Sequence, residues 1–256
     1  MPQDHYDIVI IGGGNAGFGV SQIAHPAGKS IAFVEPAEFG GTCPNRGCTP
    51  KKVLVAAAQA LHEIEIAHNH GIEVGKAKLD WEKMIRRKKD LIGFIPDAMK
   101  QTAAGRGTIY TGRARFVGPN AIEVDGIRIE ADDFVIATGS MTRPLSIPGA
   151  ENLITSDDVL SELDQPGEVV FIGGGVIAME FSHVYARAGS KVTILEMMPQ
   201  LLPRLDSDAV AQIRSESERI GISISTDVQV ERVEKQGNKL RVHYIHRGKE
   251  VSIDAD

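Results

Sequence analysis

Cysteine, tryptophan and aromatic side chains are scarce in this chain, which has two Cys, one Trp and 5% Phe, Trp and Tyr in 256 residues. Two cysteines are too few for a small scaffold stapled by disulfides, and they cannot supply the four ligands of a structural zinc site. No apolar run approaches the ~18 residues of a membrane span. The N-terminal segment Met1 to Asp7 carries acids rather than a basic leader, and Ile8 to Ile11 is too short for a signal-peptide core, so the expected location is cytoplasmic. Basic residues are outnumbered, 28 against 34, for a net charge of −6. That balance argues against nucleic acid or an anionic membrane as the main partner and leaves small molecules. A hydrophobic content of 42% and a charged content of 24% are ordinary for a globular chain of one or two domains.

Glycine, by contrast, is abundant: 27 of 256 residues, against a usual ~7%. Its placement follows an internal repeat. Ile8 to Glu35 aligns without a gap on Val169 to Glu196 at an offset of 161 residues, with nine of 28 paired positions identical and most others exchanging one apolar residue for another. Each copy reads as a buried strand, a glycine turn, a helix and a second buried strand ending in an acid, the βαβ unit of a dinucleotide fold. In that unit Gly12 and Gly173 permit the tight turn, Gly14 and Gly175 let backbone approach a pyrophosphate, and Gly17 or Ala178 lets helix pack on strand. Glu35 and Glu196 follow Gly14 and Gly175 by 21 residues, the distance expected for a carboxylate that binds a ribose hydroxyl. The fold class is therefore α/β, with two Rossmann-like domains, 1–150 and 151–256, divided near Pro144, Pro148 and Gly149.

Between the copies, Lys51 to about His68 is expected to be helical, with Pro50 in the first turn and an apolar stripe through Val53, Leu54, Ala57, Leu61 and Ile64. A second helix is expected from Asp80 to about Ala103; its Arg86-Arg87-Lys88-Lys89 run reads as a solvated face. Thr108 to Glu130 suggests a small antiparallel meander, and Phe134 to Ala137 a strand rejoining the main sheet. A helix over Ser207 to Ile220 and strands near 221–225, 228–233 and 239–245 complete the second domain, and Val251 to Asp256 approaches a further strand.

The two cysteines, Cys43 and Cys48, lie in Cys-Pro-Asn-Arg-Gly-Cys-Thr-Pro-Lys-Lys. Five residues of regular helix rise about 7.5 Å, more than the Cα separation a disulfide allows, so this segment must be a distorted turn if the two sulfurs are to join; Pro44 and Gly47 make one. Cys48 would stand beside a helix N-terminus, with Arg46, Lys51 and Lys52 nearby, a setting that favours thiolate. His68 and His70 read as surface residues and no metal is expected. Two dinucleotide folds and one redox dithiol imply a route from NAD(P)H through a flavin to a disulfide.

Gly40-Gly41-Thr42-Cys43-Pro44-Asn45-Arg46-Gly47-Cys48-Thr49-Pro50-Lys51-Lys52 resembles the active-site signature of the pyridine nucleotide-disulfide oxidoreductases, the group of glutathione reductase, lipoamide dehydrogenase and mercuric reductase. The resemblance implies FAD at the first glycine turn, with Gly41, Thr42, Thr138 and Gly139 in its site, and NAD(P) at Gly173 to Glu180. It makes Cys43 the thiol that meets substrate and Cys48 the thiol that faces the flavin. It also gives Glu180 a lysine partner, either Lys51 or Lys52. Val176 resembles the lipoamide dehydrogenase pattern, and Glu196, followed by Met197-Met198, favours NADH over NADPH, with Arg204 the one residue of the next loop that could meet a phosphate. Full-length relatives are longer, with a second flavin segment and a dimerisation domain that supplies a His-Glu pair, so this chain reads as their N-terminal part. Three functions follow: an FAD-dependent oxidoreductase acting on a disulfide or dithiol substrate, a flavin NADH oxidase with incidental cysteines, or a nucleotide-binding fragment without turnover.

Overall fold

A computed structural model describes residues 5–256. They form two compact units, one of residues 5–50 and 89–141, the other of 51–88 and 142–256. The helical stretch 51–88, expected with the first domain, thus groups with the second.

The first unit opens with β1 (His5–Ile11), α1 (Asn15–Ala24) and β2 (Ile31–Glu35). A short helix α2 (Thr42–Arg46) precedes α3 (Cys48–Ile66), which carries the chain into the other unit. The chain passes through α4 (Trp81–Ile92) and returns with α5 (Ile95–Ala104), followed by β3 (Thr108–Thr111), β4 (Ala114–Gly118), β5 (Ala121–Val124) and β6 (Ile127–Ile136). The six-stranded sheet runs β3-β2-β1-β6-β5-β4. Its central strands read as unbroken apolar runs because both faces are covered. Val9 and Ile10 are fully buried, Val9 against Tyr6, Val34 and Ile129 on one face, and Ile10 against Phe33 and Phe39 on the other. The strand that rejoins the sheet is the far half of β6. This one strand pairs antiparallel with β5 at its start and parallel with β1 beyond, from His5↔Glu130 to Ile11↔Ile136.

The second unit contains α6 (Ser156–Val159), β7 (Glu168–Ile172), α7 (Val176–Ala188), β8 (Lys191–Leu195), α8 (Ser207–Arg219), β9 (Ser223–Ser225), β10 (Val228–Gln236), β11 (Lys239–His246) and β12 (Lys249–Ala255). A parallel sheet β7-β8-β9 and an antiparallel sheet β10-β11-β12 share the work. Leu54, Trp81, Tyr185 and Ile194 belong to one core cluster of this unit, in which Trp81 stacks on Tyr185 at 4.8 Å between ring centroids. Burial of Tyr185 pushes its hydroxyl pKa well up.

Two expectations need correction. The helix foreseen from Asp80 to Ala103 is two helices, broken at Gly93 and Phe94 and restarted with Pro96 in the first turn of α5, where proline belongs. Thr108–Thr111 is not part of the meander; it pairs parallel with β2 at the sheet edge, Ala32↔Thr108 to Glu35↔Thr111. Four residues carry too little pattern to tell a parallel edge strand from a hairpin strand.

Candidate active site

The repeat seen in the sequence is reproduced in strand register and in backbone hydrogen bonds. β1 pairs β2 from Ile8↔Ile31 to Ile11↔Val34, and β7 pairs β8 from Val169↔Val192 to Ile172↔Leu195, the same register shifted by 161. Gly12 N–H donates to Val34 O and Gly173 N–H to Leu195 O, each at 2.8 Å. Each acid folds back beneath its turn. Glu35 accepts from Gly13 N–H at 2.7 Å and from Ala37 N–H at 2.9 Å. Glu196 accepts from Gly174 N–H at 2.5 Å and from Met198 N–H at 2.7 Å. These bonds hold the carboxylates in place and leave lone pairs for a ribose hydroxyl.

The sequence alignment stops at the acids, yet the structural repeat continues with one residue inserted in the second copy. Phe39 and Leu201 each pack on the middle glycine of their turn: a Cβ on Gly13 would lie 2.7 Å from the Phe39 ring, and one on Gly174 would lie 2.4 Å from Leu201 Cδ2. Gly40 N–H then donates to Gly13 O at 2.8 Å, and Leu202 N–H to Gly174 O at 3.0 Å. Both residues have positive φ, +111° and +47°. Phe39, Leu201 and Leu202 were missed because a glycine and a leucine do not look alike in sequence. The signal that could have found them is one large apolar residue four or five places after each acid.

Helices α1 and α7 begin at Gly14 and Gly175 with no capping side chain and no acid in the first turn. The α8 helix, by contrast, is capped by the Asp206 carboxylate. Uncapped N–H groups and a positive helix pole suit an anion such as a pyrophosphate. Around the first turn the backbone is tight: a Cβ on Gly12 would lie 2.2 Å from Ala137 O, and one on Gly17 2.3 Å from Gly12 O. Thr138 and Gly139, the latter at φ +73°, follow directly and are exposed. Gly41, at φ +63°, lies against Gly14, where its Cβ would come within 2.9 Å of the Gly14 Cα, and Thr42 opens α2 beside it.

That short helix presents the cysteines. Gly47 breaks the helical path between Arg46 and Cys48, as a Cβ there would meet Thr42 O at 2.9 Å. Asn45, another residue not foreseen, donates its amide to Phe39 O at 2.9 Å and so ties the cysteine turn to the glycine loop. Cys43 is half-buried and Cys48, the first residue of α3, is exposed; the two sulfurs are not joined. The Cys43 thiol is hydrogen-bonded to Cys48, which together with burial holds its pKa above the ordinary cysteine value. The Asn15 side chain, at the start of α1, makes an opposing hydrogen bond that lowers it.

In the second unit Lys51 Nζ and Glu180 Oε1 form an ion pair at 2.5 Å, with the Lys51 side chain 17% exposed. Lys52 is exposed. Lys51 stands three residues before Leu54 and seven before Ala58, both buried, and so shares their helical stripe. Val176 is exposed and Ala178 buried at the start of α7. His68 and His70 lie exposed on a 3-10 turn, and among the described residues no group of three or more His, Cys, Asp or Glu side chains could hold a metal ion. None of the described helices is long and apolar enough to cross a membrane.

Two glycine-turn nucleotide folds, with a pair of touching thiols beside the first, define a redox protein of the two-dinucleotide class. Residues 6–256 match the pyridine nucleotide-disulphide oxidoreductase family, and the chain belongs to it. It is 32% identical over 98% of its length to a dihydrolipoyl dehydrogenase of Acholeplasma laidlawii, covering 76% of that protein. It is likewise 32% identical, over its full length, to a glutathione reductase of Burkholderia cepacia, covering 57%. Among solved structures it resembles the HOCl-induced flavoprotein disulfide reductase RclA from Escherichia coli, with TM-score 0.85 and 31% identity over 98% of this chain and 55% of that one. Most of these relatives are thus about twice as long as the chain. The uncapped α1, the pressed Gly14 and Gly41 backbone and the anchored Glu35 fit the FAD that such flavoproteins carry.

Proposed function

We propose that the chain supplies the nucleotide-binding and dithiol machinery of an NADH-dependent reduction of a small disulfide. The balance is NADH + H⁺ + R–S–S–R → NAD⁺ + 2 R–SH. When bound, FAD would take the hydride from the nicotinamide and deliver an electron pair to the Cys43–Cys48 disulfide. The chain's own residues do the rest. Gly12, Gly14, Gly17, Glu35, Gly41, Thr42, Thr138 and Gly139 hold one dinucleotide; Gly173, Gly175, Val176, Ala178 and Glu196 hold the other. Cys43, once deprotonated, attacks the substrate disulfide and releases one thiol. Cys48 then attacks Cys43 of the mixed disulfide, releases the second thiol and restores the Cys43–Cys48 bond. The Asn15 hydrogen bond works toward the thiolate that Cys43 must become. Lys51 and Glu180 hold each other in place, Glu180 matching the family carboxylate that stands near the flavin. Glu196 favours NADH, since a carboxylate accepts from a 2′-hydroxyl and repels a 2′-phosphate.

The observation that carries this reading is the Cys43–Cys48 contact beside the first glycine turn. Its test uses protein loaded with FAD and its Cys43→Ser variant, with lipoamide and glutathione disulfide as probes. Disulfide reduction should fall at least 100-fold while NADH-to-dye transfer stays within about twofold. Unchanged disulfide reduction would show that the cysteines are incidental, and a chain that holds no FAD would reduce the reading to a nucleotide-binding fragment.

A further inference from the structure

A groove in the second unit is lined by none of the glycine-turn or dithiol residues. It has a volume of about 650 Å³ and lies between the C-terminal ends of α3, α7 and α8 and the stretch from Val74 to Ala77, which has no regular secondary structure. Small-molecule sites occupy about 300–1,000 Å³, so this one is large enough to hold a ligand. The second glycine turn is at the opposite end of α7, with Val176 about 16 Å along the helix from Arg187. The groove is therefore separate from the nucleotide site. Leu61, Ile64, Val74 and Ile220 give it apolar walls, and Ile64 and Val74 remain exposed.

The charges around the groove do not balance. Lys76, Arg187 and Arg219 line it against one acid, Glu65. The nearby Glu216 is taken up by Arg219, whose Nε and Nη2 donate to its two oxygens at 2.7 and 2.8 Å. Arg187 reaches Glu216 only at 3.6 Å, beyond a hydrogen bond, and its one hydrogen bond among the described residues runs from Nη1 to Glu65 at 3.0 Å. A guanidinium has five N–H donors, and this one is only 12% exposed, so water has little access to the others. Buried donors call for a partner, and the groove is where one can enter. A carboxylate meets a guanidinium two hydrogen bonds at a time. An apolar body attached to it would cover the groove's walls and remove them from water.

We propose that this groove binds a small apolar carboxylate, with the carboxylate on Arg187 and the hydrocarbon on Leu61, Ile64, Val74 and Ile220. Calorimetric titrations of the full 256-residue chain with octanoate, octanol and octylammonium test it, because the three share a tail and differ in charge. Octanoate is expected to bind with a Kd of about 1 mM or tighter, and about tenfold more tightly than either of the others. Arg187→Gln should weaken octanoate about tenfold and leave octanol within about twofold. Val74→Asp places a charge on the apolar wall and should weaken octanoate and octanol alike. Val74 is exposed, so this variant tests the site even where Arg187→Gln does not fold. Equal affinity for octanoate and octylammonium would overturn the proposal. So would octanoate binding unchanged in Val74→Asp or in folded Arg187→Gln, or no binding of octanoate at about 10 mM.

Discussion

The two copies of the βαβ unit share a register, a carboxylate anchor and a capping apolar residue, yet their glycines are needed for different reasons. In the first copy Gly12 and Gly17 are enforced by backbone that would collide with a methyl group. In the second, nothing lies within 4 Å of a Cβ on Gly173 or Gly175, and alanine already occupies position 178. Gly173 retains one requirement, its φ of +102°. At its first glycine the motif is thus a packing and a conformational constraint in the first copy and a conformational one alone in the second, while the middle glycine is packed in both. The cause is visible in the sheets. β1 has β6 on its outer side, and the chain leaving β6 places Ala137 O over Gly12, whereas β7 is the edge of its sheet among the described residues.

The largest contrast should come from alanine at the first glycine. Gly12→Ala must displace a carbonyl and adopt a positive φ, and is expected to cost more than about 4 kcal/mol and to prevent folding of the first unit. Gly173→Ala meets only the backbone penalty, about 1–2 kcal/mol. Denaturant unfolding of the two variants measures both, and equal losses would break the comparison.

Helix α7 also carries something α1 lacks, since Glu180 stands where the first copy has Gly19. Lys51→Met should lower NADH-dependent disulfide reduction about tenfold or more by leaving Glu180 unpaired. Its effect on stability should be at most about 1 kcal/mol, because Glu180 is 40% exposed. Lys52→Met should leave turnover within twofold. A reversed order would place the functional lysine one position along the helix.

The loop after β2 holds a dithiol and the loop after β8 does not, and that difference has a pH signature. The hydrogen bond to Cys48 is the largest cause of the raised Cys43 pKa. A raised pKa means less thiolate at pH 8, so removing the cause should increase it. Cys48→Ala is therefore expected to speed alkylation of Cys43 by several-fold at pH 8, with the two curves converging once the pH is high enough to deprotonate Cys43 fully in both proteins. Slower alkylation in the variant would contradict the assigned contact.

The smallest effect concerns the sheet edge. Amides of β7 should exchange with solvent faster than those of β1, because Val170 and Phe171 are half-buried where Val9 and Ile10 are fully buried. Equal protection would mean that the edge is covered.

Much of this was legible in the sequence, because a 28-residue repeat states its period, its turns and its terminal acid in residue types that have few other uses. The cysteine turn was legible for the same reason, through Gly47 and the proline. What sequence did not reveal lay in tertiary structure. Thr108–Thr111 is too short to declare its partner, and the grouping of 51–88 with the second unit depends on Leu54 and Trp81 packing against residues more than a hundred positions away. The break at Gly93 was legible but outweighed by the apolar period on either side. The choice between Lys51 and Lys52 could have been made from the phase of Leu54 and Ala58. The match of Gly40 to Leu202 could not, since only coordinates show that both turn with positive φ.

The central claim is that electrons entering at a nicotinamide site reach the Cys43–Cys48 pair. Its most direct test starts from the oxidised, FAD-loaded protein under anaerobic conditions, adds one equivalent of NADH, quenches with an alkylating agent and weighs the cysteine peptides. Alkylation of both Cys43 and Cys48 in step with NADH consumption is the expected result, whereas NADH consumed with both cysteines still joined would contradict the account.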